Sequence, residues 1–319
     1  MKALIHDNNG NLSWSEVDRP ACKMDELLIR VEAVGVNRAD LLQRKGLYPP
    51  PEGEPDIMGL ELAGEVVESG DALSEKYLGT RVMALVPSAA YAEFVKVNHR
   101  LAFKIPETFS VEMAAAIPEA LFTTFLNLCY EAKLKSNESA LIHSGAGGIG
   151  HIAIQMAKIL GAQVITTSGS DDKCNFCEEL GADLALNYKK NWPGELKAAF
   201  DGVDVVLDTV GKNYVEQHLE ILNQNSRWQL IGLLSGIKSE IDLSKILKKN
   251  IQLKGFTLRN KSTSFKAELA EQIKDKFGDY LNDGSIRPVI DSVFPIQNAE
   301  EAHQRIKSNL VKGKVILTV

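Results

Sequence analysis

"SGAGGIGHIAIQMAK", Ser144–Lys158, decides how this chain is read. Glycines stand at 145, 147, 148 and 150, directly after the apolar run "ALIH", and the apolar residues then take helical spacing. Gly145, Gly147 and Gly150 satisfy G-x-G-x-x-G between a strand and a helix, the context in which that pattern carries weight. Gly145 is expected to permit the tight turn, Gly147 to let backbone approach a pyrophosphate, and Gly150 to let the helix pack closely on the sheet. The N–H groups at the helix start would then face two negative phosphates. No G-x-x-x-x-G-K-[ST] occurs, which excludes a P-loop.

Outward from this stretch, "AQVITTSG", "ADLALNY", "GVDVVLDTVG" and "RWQLIGLL" are short apolar strands. Between them lie the helical segments "IGHIAIQMAKILG", "KCNFCEELG" and "YVEQHLEILNQN", and "NIQLKGFTL" supplies a sixth strand. Such alternation implies right-handed crossovers and a parallel sheet covered on both faces. Residues 1 to about 110 differ: "ELLIRVEAVGV", "LAGEVVES", "TRVMALV" and "YAEFVKV" are strands separated by turns, interrupted by one helical stretch, "NRADLLQRK". The final "KVILTV" suits a return to this β-rich part. The expected class is α/β, with a doubly wound Rossmann-type sheet (119–260) inserted into a β-rich domain (1–118 and 261–319).

Which dinucleotide would bind follows from the second strand. NAD binders place a carboxylate at its end, on the ribose 2′-hydroxyl. Here "AQVITT" runs into the neutral Ser168-Gly169-Ser170. Asp171 and Asp172 are the rival candidates by spacing, but "SGSDD" has the small polar residues of a helix cap. Lys173, in the same turn, is placed to reach a 2′-phosphate. A carboxylate ~4 Å from that phosphate would cost roughly 4 kcal/mol at moderate dielectric, and a lysine would gain a similar amount. The cofactor expected is therefore NADPH, with Tyr188 of "LNYKK" packing on the adenine ribose or bonding the phosphate.

Composition bounds the rest. A net charge of −6 without a basic cluster argues against nucleic acid or anionic membrane as main partner. The most apolar stretch, "MAAAIPEALFTTFL", holds Pro118 and Glu119 and is not expected to span a bilayer, and "MKALIHDNNG" is not a signal peptide. Four cysteines make no disulfide framework, and Cys174 and Cys177 read as small residues on one helical face, so a reducing, cytoplasmic setting is expected. None of the six histidines forms H-x-x-x-H or stands beside a cysteine, and no G-x-S-x-G occurs, so neither a catalytic zinc nor a nucleophile elbow is expected.

A β-rich domain followed by this nucleotide fingerprint resembles the medium-chain dehydrogenase/reductase superfamily. Its zinc enzymes carry a Cys after the strand matching "EAVGV", and a Gly-His-Glu soon afterwards. Asn37-Arg38-Ala39-Asp40 and Gly59-Leu60-Glu61 stand at those places. These departures resemble the zinc-free quinone oxidoreductase (zeta-crystallin-like) branch. "VNRADLLQRKGLYPPP", "AAAIPEA", "LNYKK" and "GKVIL" are most similar to its tumour-suppressor-inducible subgroup.

The resemblance implies a nicotinamide and substrate cleft lined by Asn37–Leu42 and Tyr48, with Thr123 near the nicotinamide ring. It implies pyrophosphate contacts at Gly148 and Ile149, and a 2′-phosphate pocket of Gly169, Ser170, Lys173 and Tyr188. The far side of the groove would come from Gly211–Asn213, from Ile231–Gly236 (Gly232, Leu233 and Leu234 among them), and from Phe256–Leu258. It also implies a homodimer through the edge strand "NIQLKGF". For chemistry, Tyr48 and Asn37 are candidate donors to a developing oxyanion, Asp40 would fix their geometry, and Glu119 is a further candidate. Reduction of quinones is the first expectation and reduction of activated C=C bonds in enals or enones its rival. A structural or RNA-binding role is a third.

Overall fold

A computed structural model describes residues 1–7, 9–73 and 75–319. The chain divides into two units, Met1–Phe122 with Leu258–Val319, and Thr123–Thr257.

In the contiguous unit, six parallel strands lie in the order Leu184–Asn187, Gln163–Ser168, Ser139–His143, Val203–Asp208, Leu222–Leu230, Gln252–Gly255. Counted along the chain this is 3-2-1-4-5-6, the doubly wound order of dinucleotide-binding sheets. The order reverses between Ser139–His143 and Val203–Asp208, where crossovers leave in opposite directions and the carboxyl ends open a crevice. Side chains alternate across the sheet as strand geometry demands. Ile142, Val164, Val205 and Leu207 pack with Ala153, Ile154 and Ala157 of helix Gly150–Ile159. Leu141, Ile165 and Val206 face the other way, onto Trp192, Leu196, Leu219 and Trp228. Both faces are covered, which is why these strands read as unbroken apolar runs. Each buried Val, Leu or Ile among them contributes ~1.5–3 kcal/mol.

One boundary departs from expectation. The helix expected through "YVEQHLEILNQN" stops at Ile221, and Leu222 already begins a strand. The register explains it. Val203 pairs with Leu222 and Val205 with Arg227, so Asn223-Gln224-Asn225 fills a bulge. Asn225 takes a φ of 61°, a left-handed conformation that asparagine tolerates well. Asn223 is held there by its Nδ2 donating to Asp204 Oδ1 at 2.9 Å.

In the discontinuous unit a seven-stranded sheet is centred on the eleven-residue strand Glu26–Val36. Antiparallel partners along it are Glu61–Ser69, Phe94–Asn98 and the closing strand Lys314–Thr318. The closing strand pairs in turn with Ile290–Pro295, and Glu61–Ser69 with Arg81–Leu85. Lys2–His6 and Leu12–Glu16 form a separate two-stranded sheet. The helical run Val111–Glu131 has the length and composition to cross a membrane, which its sequence alone did not foretell, but its most apolar window is 72% buried in the fold. It is a core element, broken at Pro118 and ending in a π-helix, Phe125–Glu131.

Candidate active site

The nucleotide loop shows why its glycines stand where they do. The left-handed turn residue is Ser144 (φ 58°), not Gly145, so the turn-permitting role expected of Gly145 falls one residue earlier. Gly145 is required by proximity. A Cβ there would meet Thr166 Oγ1 at 1.9 Å, and one on Gly150 would meet Ser144 O at 2.3 Å. Loop, neighbouring strand and helix start are thereby drawn together. Gly145 N–H donates to Thr167 O (3.1 Å) and Gly147 N–H to Ser144 O (2.8 Å), which closes the loop. Gly147, Gly148 and Ile149 remain half-exposed, just ahead of the helix that begins at Gly150. The first N–H groups of a helix have no partner within it, so this end can take an anion.

Beyond the second strand the expected pocket residues converge. A Cβ on Gly169 would lie 2.6 Å from Tyr188 Oη, so the phenol stands directly against the Gly169 backbone. Ser170 caps helix Asp171–Glu179, its Oγ accepting from Lys173 N–H at 3.3 Å, and Lys173 lies in the first turn. The rival Asp171 is engaged elsewhere: Lys190 Nζ bonds both its oxygens (2.8 and 3.0 Å) and Asn187 Nδ2 one of them (2.8 Å). Those bonds hold its carboxyl below the usual range. Cys174 and Cys177 are buried on this helix, as their spacing predicts.

The opposite wall is laced by backbone. Asp208 Oδ1 accepts from the N–H groups of Val210 (2.7 Å) and Gly211 (3.0 Å). Asn213 N–H donates to Ser235 Oγ at 2.9 Å, and a Cβ on Gly232 would strike Thr209 O at 2.7 Å. Leu233 and Leu234 are about half exposed there. Thr123 accepts from Asn127 Nδ2 through its carbonyl, and Phe256 N–H donates to Leu230 O. Leu258, grouped with Phe256 by resemblance, opens the second stretch of the β-rich unit and is buried.

Beneath the strand ends, Thr167, His143, His218 and Asp208 form a buried chain. His143 Nδ1 contacts Thr167 Oγ1 at 2.7 Å and His143 Nε2 contacts His218 Nε2 at 2.7 Å. His218 Nδ1 faces Asp208 Oδ2 at 3.7 Å, and Trp228 Nε1 donates to the same oxygen. Among the described residues, His143, Asp208 and His218 are the one group with metal-ligating atoms this close. The two Nε2 atoms share a single proton, so they do not both offer lone pairs to an ion. Burial keeps both rings neutral, His218 at about 4 and His143 well below its ordinary value. The cluster is a hydrogen-bonded core element.

The β-rich unit gathers a second set of polar residues. Asn37 caps helix Arg38–Gln43, its N–H donating to Asp40 Oδ2 at 2.7 Å. Its Nδ2 donates to Glu61 Oε1 (2.8 Å) and Gly35 O (3.3 Å), and its Oδ1 accepts from Lys314 Nζ (2.8 Å). Lys314 also pairs directly with Glu61, and Glu119 N–H donates to Glu61 Oε2 at 2.8 Å. Glu61 and Lys314 are fully buried. Gly35 makes room for this arrangement, since a Cβ there would sit 2.2 Å from Glu61 Oε1. Both amide hydrogens of Asn37 are thus spent inside the unit, and the donor role expected of it toward a substrate gives way to positioning.

Asp40 is buried as well. Its Oδ2 also accepts from Tyr91 Oη (3.1 Å), while Oδ1 has no partner. Burial outweighs these bonds and the nearby Lys314, pushing its carboxyl up to about 6. Tyr48 is half-buried, and its hydroxyl makes no hydrogen bond among the described residues. Burial first, and then Glu119, raise its phenol, against the pull of Arg259.

Sequence reasoning missed Lys314, Tyr91 and Arg259. Only Lys314 left a signal: a lysine opening the apolar strand "KVILT". The pairing of Val315 with Val36 is what sets it beside Asn37.

Comparison with known proteins agrees with this geometry. Residues 23–107 match the alcohol dehydrogenase GroES-like domain, and residues 148–275 match the zinc-binding dehydrogenase family. A quinone oxidoreductase-like protein 2 from Bos taurus is 30% identical over 99% of this chain and 92% of its own. The quinone oxidoreductase of Thermus thermophilus, solved also as its NADPH complex, superposes with a TM-score of 0.86. It is 31% identical, over the full length of both chains. The CurK enoyl reductase gives a TM-score of 0.87 at 26% identity, over 99% of this chain and 98% of its own. The zinc in one family name finds no fitting donors at Asn37 and Leu60. Asn37 is an amide already bonded to a lysine ammonium, and Leu60 is a buried hydrocarbon. With the nucleotide-binding sheet, the GroES-like domain and this likeness along nearly its whole length, the chain belongs to the medium-chain dehydrogenase/reductase superfamily of oxidoreductases.

Proposed function

We propose that the protein is an NADPH-dependent reductase of small quinones that works without a metal. The observation that carries the reading is the pocket at Gly169, Ser170, Lys173 and Tyr188. A competing carboxylate, Asp171, is bonded to Lys190 and Asn187. A neutral cap and a first-turn lysine suit a 2′-phosphate, and the bound cofactor would supply hydride. The glycine loop would hold the pyrophosphate, and Thr123, Asn213, Gly232–Leu234 and Phe256 the remainder.

On the acceptor side, Tyr48 is the group with an uncommitted hydroxyl. It would donate a hydrogen bond to the oxygen on which negative charge develops, and then its proton. Solvent would restore the proton to Tyr48, so that quinone, hydride and one proton give hydroquinone. Asn37 and Asp40 hold the helix beside it and do not touch the substrate. The exposed backbone of edge strand Gln252–Gly255, with exposed Leu243 and Leu247 nearby in sequence, supports assembly as a homodimer. Four free thiols suit a reducing compartment.

The likeness to an enoyl reductase supports a second reading, reduction of activated C=C bonds, by the same hydride and oxyanion arrangement. Steady-state NADPH oxidation with a small ortho-quinone and with a simple enone separates the two. Preference for the quinone is expected, and selectivity for the enone would replace the first reading by the second.

A further inference from the structure

Arg259 is 6% exposed and has no carboxylate partner within ion-pair distance among the described residues. Its guanidinium is held by neutral acceptors alone. Nε donates to Pro87 O (2.8 Å), Nη1 to Tyr48 O (2.7 Å) and Nη2 to Gln43 Oε1 (2.6 Å). Gln43 is itself fixed through Nε2 to Asp56 Oδ1 (2.9 Å), and buried Lys266 donates to Arg259 O (2.7 Å). A buried cation without an ion-pair partner is costly. Its field falls on one ring: the guanidinium carbon lies 4.9 Å from the centroid of Tyr48.

Resting on the reading of Tyr48 as proton donor, we propose that Arg259 is the positioning residue that fixes Tyr48 and makes its phenol a better acid. The fork ties the Tyr48 main chain to helix Arg38–Gln43 and to the Pro87 turn, so the ring has a single seat. The unneutralised charge stabilises the phenolate left after proton donation more than the phenol before it. Glu119 acts on Tyr48 in the opposite sense, and Asp40, Glu119 and Asp56 are the carboxylates that act on Arg259 itself. Arg259 thus offsets the surrounding negative charge at this hydroxyl. A lysine would keep the charge but not the three-point fork.

The test uses ζ-13C-tyrosine labelling of the full chain, with Tyr48→Phe to assign the resonance. In Arg259→Gln the Tyr48 titration midpoint should rise by about one unit, and in Arg259→Lys by less. An unmoved midpoint in Arg259→Gln overturns the proposal, whatever the enzyme turns over. The second arm is a kinetic cycle with NADPH and an ortho-quinone. Arg259→Gln should lower kcat about tenfold in the native background and less than about twofold in Tyr48→Phe, with the Kd for NADPH unchanged. Equal losses in both backgrounds would make Arg259 merely structural. Should Arg259→Gln fail to fold, Arg259→Lys carries both arms, and a midpoint and kcat identical to the native ones would count against the fork. If the native enzyme reduces no quinone, the functional reading falls, while the titration still decides whether Arg259 acts on Tyr48.

Discussion

Lys190 grips Asp171 through both carboxylate oxygens, at 2.8 and 3.0 Å, and so engages one of the two acids, Asp171 and Asp172, that sequence spacing offers after the second strand. Beside Gly169 stand a serine cap, a first-turn lysine and a phenol. Lys173→Ala should raise the Kd for NADPH about tenfold or more and change that for NADH little, because a charge-assisted phosphate contact is lost. Fluorescence titration with both cofactors checks this. Equal weakening of the two would remove the account of specificity.

Lys314 and Glu61 form a fully buried ion pair that also fixes the Asn37 amide. Lys314→Met leaves a carboxylate buried without its cation and should cost about 3–5 kcal/mol in denaturant unfolding. Adding Glu61→Gln should recover most of that loss, since an amide still bonds Asn37. If the double variant were as unstable as the single one, the pair would be acting through packing rather than charge.

Asp40 gives a pH signature of the opposite sign to an ordinary carboxylate. Its folded pKa, about 6, lies above the unfolded value of 3.8, so the folded state binds more protons between those limits. The stability tied to the protonated carboxyl is present below the lower value and lost as pH rises toward 6. Relative to the native protein, Asp40→Asn should therefore gain about 2 kcal/mol in unfolding free energy between about pH 4 and pH 7.5. His218 and His303, lowered to about 4 by burial, act the other way, and their contribution falls as pH drops from about 6.5 toward 4. A difference between native and variant that stayed flat with pH would show that Asp40 is ionised throughout.

How much was legible in sequence depends on how local each cause is. The parallel sheet was readable because every strand and crossover announces itself within a short stretch of chain. Ser170 capping its helix was readable for the same reason, through small polar residues just ahead of a helical pattern. The helix end at Ile221 was not, because Asn223–Asn225 is shaped by a bulge against a separate strand. The turn residue Ser144 was hidden too: the G-x-G-x-x-G spacing pointed at Gly145, whose need is set by Thr166 on the neighbouring strand. Farthest from view were Lys314 beside Asn37 and Arg259 on Tyr48. They are 277 and 211 residues apart, and only strand register and the return of the chain bring them together.

The antiparallel pairing of Val315 with Val36 has a bearing on how the molecule is born. Residues 123–257 form an uninterrupted stretch and hold everything their own sheet requires, so this half can close while the ribosome is still at work. The other half must wait for Lys314–Thr318, and until that strand is translated the Ala33–Val36 end of the central strand lacks a partner on one side. Through that interval Glu61 and Asn37 are without Lys314, so the buried charge pair at the centre of this half is a late product of synthesis.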